Sequence, residues 1–257
     1  MVKRKPIVNF IIAGTQKGGT TALDFYLRQH PEIEMAKKKE VHFFDRDDRY
    51  QRWRNIAYYH KNFNVKSNNA LIGEATPSYM YSGDAIKRIY EYNPDIKLIC
   101  VLRNPIERAY SHWNMARQNQ FEALPFGLSI EKEADRIRQH LPSICQRYSY
   151  IDRGFYSEQI RRMQRYFNAE QLLFIRHESL KQSPTETLAK VTDFLQISPF
   201  PKIQAKDVHS RPYETTMSAT ERARLNDIYY YEIKQLERML GWDCSAWLPP
   251  SSQQKTV

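Results

Sequence analysis

The stretch that decides the fold runs from Phe10 to Thr21 and reads FIIAGTQKGGTT. Its first residues are apolar, as a buried strand requires. The glycines that follow, Gly14, Gly18 and Gly19, allow the backbone to turn its N–H groups toward an anion. The next residues, TTALDFYLRQH, suit a helix with one apolar face. The stretch therefore predicts a strand, a glycine-rich turn, and a helix whose N-terminus binds an anion.

The position of the lysine in this turn separates it from nucleoside-triphosphatase loops. Those loops read G-x-x-x-x-G-K-[ST], whereas Lys17 here precedes Gly18. The strand that would normally offer a magnesium-binding aspartate reads KLICVLRN and ends in Arg103 instead of an acid. The pattern favours an anion site that requires no metal, with an ordinary strand-to-helix connection as the alternative.

A second motif, RNPIERAYS over residues 103–111, also starts at the end of a predicted strand. Asn104 is expected to cap a helix, with a proline after it and Glu107 closing a capping box. Arg103 could offer a bidentate guanidinium to a phosphate, and Ser111 could add a hydroxyl donor. Taken alone, an ion pair of Arg103 and a solvated Ser111 are the simpler interpretations.

Together the two motifs resemble those of the sulfotransferases that use 3′-phosphoadenosine 5′-phosphosulfate (PAPS). TQKGGTTAL is similar to the 5′-phosphosulfate loop of that family, and RNPIERAYS is similar to its 3′-phosphate motif. EVHFFD at 40–45, TPSY at 76–79 and GFY at 154–156 resemble segments of the heparan sulfate 3-O-/N-sulfotransferase-like branch, in a soluble, bacterial-type form. The similarity covers roughly residues 7–242.

The resemblance implies PAPS as the sulfuryl donor, PAP as the product and no required metal. Lys17 is expected to stabilise the charge that builds on the bridging oxygen as the S–O bond breaks. The residues implied to bind the 5′-phosphosulfate are Lys17, Gly18, Gly19, Thr20 and Thr21; Arg103 and Ser111 are implied for the 3′-phosphate, and Tyr156 and Arg211 for the remainder of the nucleotide site.

The acceptor must lose a proton during transfer, so a carboxylate or imidazole is expected beside the sulfuryl group. Glu40 and His42 would project to the same side if their segment is extended. From the residues alone, Glu40 is more simply a surface residue after the run Lys37–Lys39. The resemblance assigns Glu40 as the general base and His42 as a supporting residue.

One position departs from the resembled branch. That branch carries a lysine just before TPSY that helps to hold the sulfate, whereas this chain has Ala75. Either Lys17 and the loop N–H groups suffice, or one of Lys37, Lys38 and Lys39 takes its place.

Length and composition predict one α/β domain over residues 1–257. With 257 residues and 41% hydrophobic content, the chain can bury a sizeable core. The expected fold is a P-loop-like three-layer sandwich, with a central, mostly parallel sheet flanked by helices, a core over about 7–242, and a frayed tail at 249–257. Strands are predicted at 7–13, 70–75, 97–103 and 171–176, and helices at 20–30, 83–92, 105–118, 156–167, 184–195 and 218–240.

The net charge of +10 suits an anionic donor and an acidic acceptor, but it does not identify the acceptor. An anionic glycan, a small natural-product alcohol or amine, and an acyl group tethered to a carrier protein all remain open as acceptors. Trp53, Tyr58 and Tyr59 either stack on a substrate ring or support packing. A P-loop kinase-like phosphotransferase and a basic nucleic-acid-binding module are the alternative functions. We expect no nucleic-acid or membrane partner, and the oligomeric state stays open.

The cysteines and the start of the chain bear on the compartment. Cys100, Cys145 and Cys244 form no metal-binding spacing and no complete disulfide framework. Residues 1–6 are basic, and no long apolar segment precedes the first motif. The expectation is a soluble, cytoplasmic enzyme.

Overall fold

A parallel β-sheet forms the centre of the first part of the chain. The computed structural model describes residues 7–52, 56–65, 70–203, 212–213 and 215–249. Within them, five strands pair in the order β2-β3-β1-β4-β5, and every pairing is parallel. The strands are β1 (Phe10–Gly14), β2 (Ile33–Met35), β3 (Leu71–Ala75), β4 (Lys97–Leu102) and β5 (Leu172–Arg176). This confirms the predicted parallel sheet flanked by helices.

The described residues divide into two compact units. The first comprises the described parts of Met1–Arg103 and Arg161–Ser210, and the second those of Asn104–Ile160 and Arg211–Val257. The whole sheet belongs to the first unit. The expectation of one sulfotransferase domain stays a prediction, and most of the expected tail, 250–257, lies outside the described residues.

Helices follow most strands. The first unit contains α1 (Thr20–Leu27), α2 (Asp47–Arg52), α3 (Ile56–His60), α4 (Gly83–Tyr92), α9 (His177–Gln182) and α10 (Pro184–Leu195). The second contains α5 (Pro105–Gln118), α6 (Phe126–Glu131), α7 (Glu133–His140) and α11 (Ala219–Leu240), while α8 (Tyr156–Gln164) includes residues of both. No helix among the described residues is long and apolar enough to cross a membrane.

The core of the first unit explains why β1 is apolar throughout. Phe10, Ile11, Ile12 and Ala13 are all fully buried, so both faces of this central strand are covered. On one face, Phe10 and Ile12 pack with apolar residues of the neighbouring strands and helices, among them Leu23, Leu27, Ile99, Val101, Leu188 and Val191. A strand buried on both faces has no polar alternation, which is why its sequence is a continuous apolar run.

Most predicted bounds agree with the structure to within a few residues. The helices expected at 83–92, 105–118 and 184–195 have those bounds. Helix α1 ends at Leu27 instead of residue 30, since Pro31 disfavours helical backbone before it. Strand β2 was missed because its three residues are too few to show a pattern. Helix α9 was missed because it follows β5 without a turn signal.

The sheet also positions the motifs. In a parallel sheet, the carboxyl ends of neighbouring strands lie at one edge. The glycine-rich turn follows β1, TPSY follows β3, Arg103 follows β4 and His177 follows β5. The carboxyl edge of the sheet is therefore where the candidate site is found.

Candidate active site

The glycine-rich turn, called here the anion loop (Gly14–Thr21), is held by its backbone. The Thr15 N–H donates to the Val101 carbonyl at 3.0 Å, and the Gly18 N–H donates to the Thr15 carbonyl at 2.9 Å. Gly19 then caps α1 at a φ of 104°, in the left-handed region that favours glycine. Thr20 and Thr21 are the first helical residues, and amides at that position have no partner within their own helix. The predicted strand, turn and helix are confirmed.

Close packing requires glycine at position 18. A Cβ at Gly18 would collide with the Val101 carbonyl oxygen and would lie 2.7 Å from Cγ2 of Thr15. Lys17, just before it, has a φ of 69°, which is uncommon outside glycine and stores local strain. The loop thus presents its N–H groups and one lysine without side-chain bulk at its centre, as an anion cradle requires.

His177 supports the anion loop from β5. Its Nδ1 lies 3.0 Å from the Gly18 carbonyl oxygen, and its ring packs against Gly19. Burial lowers the pKa of His177, and the charge of Arg103 lowers it further. A neutral ring in this place must donate its Nδ1–H to the carbonyl. The sequence interpretation missed His177. One signal was available: His177 directly follows the predicted strand 171–176, which ends at the same edge of the sheet as β1.

The predicted 3′-phosphate residues, Arg103 and Ser111, and the further cofactor-binding candidates, Tyr156 and Arg211, do not all belong to one unit of the fold. Arg103 follows β4 in the first unit, and its charge acts on His177. Ser111 lies buried on α5, and Tyr156 is fully buried at the start of α8; both belong to the second unit. Arg211 lies outside the described residues. The nucleotide-binding roles of these four residues stay predictions.

The start of α5 is specified largely as expected. The Asn104 side chain accepts a hydrogen bond from the Ile106 N–H at 2.9 Å, and Pro105 is the first helical residue. The capping box predicted for Glu107 is replaced by an ion pair with Arg222 at 2.7 Å. A charged partner from the distant helix α11 holds this carboxylate, which no local pattern could show.

The second part of the site is the segment Glu40–Asp45, called here the Glu40 loop. The Glu40 N–H donates to the carbonyl of Ala75 at the end of β3. Arg49 donates to the carbonyl of Val41 at 2.6 Å. Glu40 and His42 have φ values of 65° and 52°, so the expected extended conformation is wrong. Their side chains nevertheless meet, with Glu40 Oε2 at 3.6 Å from His42 Nε2.

A buried carboxylate fixes the histidine of this loop. His42 Nδ1 donates to Asp45 Oδ2 at 2.8 Å, and Ser78 Oγ also donates to that oxygen. The Asp45 side chain is 1% exposed. Burial alone would raise the pKa of Asp45, but the hydrogen bond and charge of His42 lower it. The sequence interpretation missed Asp45 and Ser78, although both lie within the motifs EVHFFD and TPSY.

The ionisation of Glu40 and His42 separates their possible roles. Burial works against charge on His42, but the hydrogen bond to Asp45 and the ion pair with Glu40 outweigh it and raise its pKa to about 9. The contact with His42, together with Lys39, lowers the pKa of Glu40 to about 2. At neutral pH, His42 is therefore an imidazolium with no lone pair for a proton. Glu40 is an ionised, half-exposed carboxylate that can accept one.

The lysines near Glu40 differ in their contacts. Lys39 Nζ lies 2.7 Å from Glu40 Oε1. Lys37 Nζ instead donates to the Lys61 carbonyl at 2.8 Å. Ala75 is buried at the end of β3. Of the cations considered in place of the lysine absent at Ala75, Lys39 therefore contacts the candidate base directly.

The aromatic residues considered for substrate stacking have different environments. Tyr59 is fully buried and donates to Glu74, so its role is packing. Tyr58 is exposed. Trp53 lies outside the described residues.

Comparison with known proteins agrees with this arrangement. A family model described as a sulfotransferase domain matches residues 8–228. The chain belongs to the sulfotransferase family. It is 33% identical over 197 residues to human heparan sulfate glucosamine 3-O-sulfotransferase 6, covering 75% of this chain and 53% of that protein. It is also 37% identical over 138 residues to the membrane-associated sulfotransferase kil1 of Dictyostelium discoideum, covering 50% of this chain and 28% of that protein.

A solved structure supports the same assignment. The sulfotransferase of Alicyclobacillus acidocaldarius has a TM-score of 0.80 and 30% identity to this chain, over 93% of this chain and 98% of that one. The chain spans about half the length of the curated heparan sulfate relatives that it matches. The resemblance to sulfotransferases and to the 3-O-sulfotransferase branch is confirmed.

Proposed function

We propose that this sulfotransferase transfers the sulfuryl group of PAPS to a hydroxyl or amine of an acceptor, with Glu40 as the general base. The observation that carries the proposal is the ionised Glu40, held between His42 and Lys39 at the edge where the anion loop begins. Family membership favours sulfuryl transfer over the phosphoryl transfer and nucleic-acid binding that the sequence left as alternatives.

The anion loop fits the phosphate end of PAPS. Its glycines leave no room for side chains at the centre, and the amides that begin α1 offer donors at a positive helix end. PAPS, when bound, supplies a sulfuryl group on a phosphate leaving group. Lys17 and residues 18–21 would hold that phosphate, and Arg103 would hold the 3′-phosphate, with Ser111, Tyr156 and Arg211 as further candidates. Among the described residues, no cluster of His, Cys, Asp and Glu is placed to bind a metal ion.

The chain's own residues would then divide the chemistry. The acceptor oxygen or nitrogen forms the new bond to sulfur, the bond from sulfur to the phosphate oxygen breaks, and PAP leaves. Glu40 takes the proton that the acceptor releases. His42, as a cation fixed by Asp45, orients the carboxylate. Lys17 stabilises the charge that grows on the leaving oxygen, a contribution made chiefly in the transition state.

We propose an anionic glycan as the first acceptor class to test, with small alcohols and amines next. Lys37 and Lys38 are exposed just before the Glu40 loop in the sequence, and the exposed Lys61 contacts Lys37, so cations that suit an acidic ligand lie on this segment. The related human protein is named as an enzyme acting on heparan sulfate glucosamine.

We also propose a cytoplasmic location. Immunoblotting of fractions from the native host tests it, and recovery of the protein in a membrane or secreted fraction would contradict it.

Incubation with radiolabelled PAPS and a panel of anionic glycans, neutral glycans, small alcohols and amines tests the proposal. We expect Glu40→Gln to lower kcat by about 10²- to 10⁴-fold while changing the Kd for PAP, measured by calorimetry, by no more than about twofold. Lys17→Met should lower turnover more than PAP affinity.

The matched control is Glu170→Gln, an exposed glutamate at the amino end of β5, which should keep wild-type activity. Undiminished transfer by Glu40→Gln would exclude Glu40 as the base. Phosphate transfer from MgATP, with no transfer from PAPS, would overturn the proposed function.

A further inference from the structure

Glu74 is a buried acid that the proposed reaction does not use. It lies near the end of β3 and is fully buried, where an ionised carboxylate without partners would be strongly destabilising. It accepts hydrogen bonds from Tyr59 at 2.5 Å, Thr76 at 2.8 Å and Tyr79 at 3.3 Å. Burial raises the pKa of Glu74 to about 7, even though these hydrogen bonds lower it. Because burying this carboxyl group is unfavourable, we looked for a contact through which it affects the site.

Tyr79 connects this acid to the Glu40 loop. Its oxygen accepts a hydrogen bond from the Phe43 N–H at 3.0 Å and lies 3.5 Å from the Phe44 nitrogen. These two residues lie between His42 and Asp45. A phenol has a single proton. When Tyr79 donates that proton to Glu74, its lone pairs are left to face the loop amides, so the acid sets the direction of the hydroxyl.

The loop needs such an anchor. Glu40 and His42 both have left-handed backbone conformations, and residues of this kind persist only where their surroundings enforce the geometry. Phe43 and Phe44, the two residues that follow His42, are buried. Both rings contact Tyr59, and the ring of Phe44 also contacts that of Tyr79, with centroids 5.6 Å apart. The ring contacts hold the side chains of Phe43 and Phe44 in the core, while the hydrogen bond to Tyr79 holds the backbone of the loop.

We propose that Glu74 and Tyr79 are positioning residues that hold the Glu40 loop in its reactive conformation through its backbone. Glu74 orients the Tyr79 hydroxyl, and the hydroxyl holds the Phe43 amide, so that Glu40 and His42 remain side by side. The inference rests on the proposed function, because it assumes that the Glu40 loop provides the base.

The structure offers a matched pair of variants. Tyr79→Phe and Tyr59→Phe each remove one hydroxyl that donates to Glu74, and each keeps its ring. Tyr79 also bonds to the loop backbone, whereas the Tyr59 hydroxyl bonds to Glu74. A purely structural role predicts similar effects of the two variants on activity, while a positioning role predicts that they differ.

We expect Tyr79→Phe to lower kcat about tenfold, with the Kd for PAP within about twofold of wild type. Tyr59→Phe should lower the melting temperature by a similar or larger amount, yet leave kcat within about threefold. The NMR-monitored pKa of His42 should fall in Tyr79→Phe and stay near the wild-type value in Tyr59→Phe. Glu74→Gln should lower kcat in the wild type and have little further effect in Tyr79→Phe, since it acts through that residue.

Equal losses of kcat in the two tyrosine variants would overturn the inference, as would full activity of Tyr79→Phe or additive effects of Glu74→Gln. The His42 titration separates this outcome from failure of the proposed function. If the wild type transfers no sulfuryl group from PAPS, the function is wrong, but a shift of the His42 pKa in Tyr79→Phe alone still supports the anchor. An unshifted pKa in that variant contradicts the anchor whatever the reaction is.

Discussion

The anion loop and the Glu40 loop begin at the same edge of the sheet, yet they are held in different ways. The anion loop is fixed by main-chain hydrogen bonds, such as Thr15 to Val101, and by the close approach of a glycine to a carbonyl. The Glu40 loop is fixed by side chains that come from elsewhere in the chain, including Arg49, Ser78 and Tyr79. One loop therefore depends on shape, and the other depends on charge and hydroxyl groups.

This difference predicts different vulnerabilities. A loop fixed by close backbone contact is disrupted by added volume, because the backbone opposite it cannot give way. A loop fixed by charge is disrupted when one partner is neutralised, because the remaining charges lose their stabilisation. Volume changes in the first loop and charge changes in the second should therefore affect donor binding and proton chemistry separately.

Among the variants that test this difference between the two loops, Gly18→Ala is expected to have the largest effect. The new methyl group would collide with the Val101 carbonyl and with Thr15, and overpacking of this kind costs about 1–3 kcal/mol. Because the anion loop must shift to relieve the collision, we expect PAP binding to weaken by at least about tenfold, measured by calorimetry on folded protein. The pKa of His42, followed by NMR, should stay near its wild-type value.

Gly83→Ala is the control for this substitution. A Cβ at Gly83 would meet its nearest atom, Cδ of Arg162, at 3.8 Å, which is ordinary contact. That variant should bind PAP like the wild type. Normal PAP affinity in Gly18→Ala would show that the close approach at this glycine does not shape the nucleotide site.

The second prediction concerns Asp45→Asn in the Glu40 loop. The hydrogen bond to Asp45 and the ion pair with Glu40 raise the pKa of His42 from 6.5 to about 9. The charged His42 therefore stabilises the folded protein fully below pH 6.5, and this stabilisation is lost as the pH rises through 9. The lowered pKa of Glu40 has the opposite sign, and its stabilisation is lost as the pH falls from 4.5 toward 2. Asp45→Asn should bring the pKa of His42 down toward 6.5, as read from its ring proton signal.

Activity should follow the same shift. Between about pH 6 and pH 8, wild-type His42 keeps most of its charge, whereas His42 of the variant loses it, so kcat should fall with rising pH in the variant first. The control is Asp48→Asn, which removes an exposed carboxylate paired with Arg46 and should leave the pKa of His42 unchanged. A His42 pKa that stays near 9 in Asp45→Asn would show that Asp45 is not what holds its charge.

The same contrast explains how much the sequence could predict. The anion loop and the start of α5 are encoded by neighbouring residues, since glycine placement and the Asn104 cap act locally. The proximity of Glu40 and His42 was predicted from an extended segment, but it arises in a left-handed one. Ser78 lies 33 residues from Asp45 and His177 lies 159 residues from Gly18. Pairs at such separations are set by the sheet order and leave no local pattern.

The smallest effect is expected at His177, where the backbone-held loop does depend on one side chain. His177→Leu keeps an apolar side chain but removes the Nδ1–H that donates to the Gly18 carbonyl. A single hydrogen bond of this kind contributes about 1 kcal/mol net, so we expect the Kd for PAP to rise about fivefold. Because burial and Arg103 lower the pKa of His177, the ring is already neutral at pH 7, and the loss should be constant above that pH.

His177→Asn tests whether the donor or the ring matters. The asparagine amide can place an N–H close to the position of Nδ1 while removing the rest of the ring. If the hydrogen bond to Gly18 is what supports the loop, His177→Asn should keep PAP affinity within about twofold of wild type. If both variants weaken binding equally, the ring supports the loop through its packing against Gly19, and the hydrogen bond to the Gly18 carbonyl contributes little.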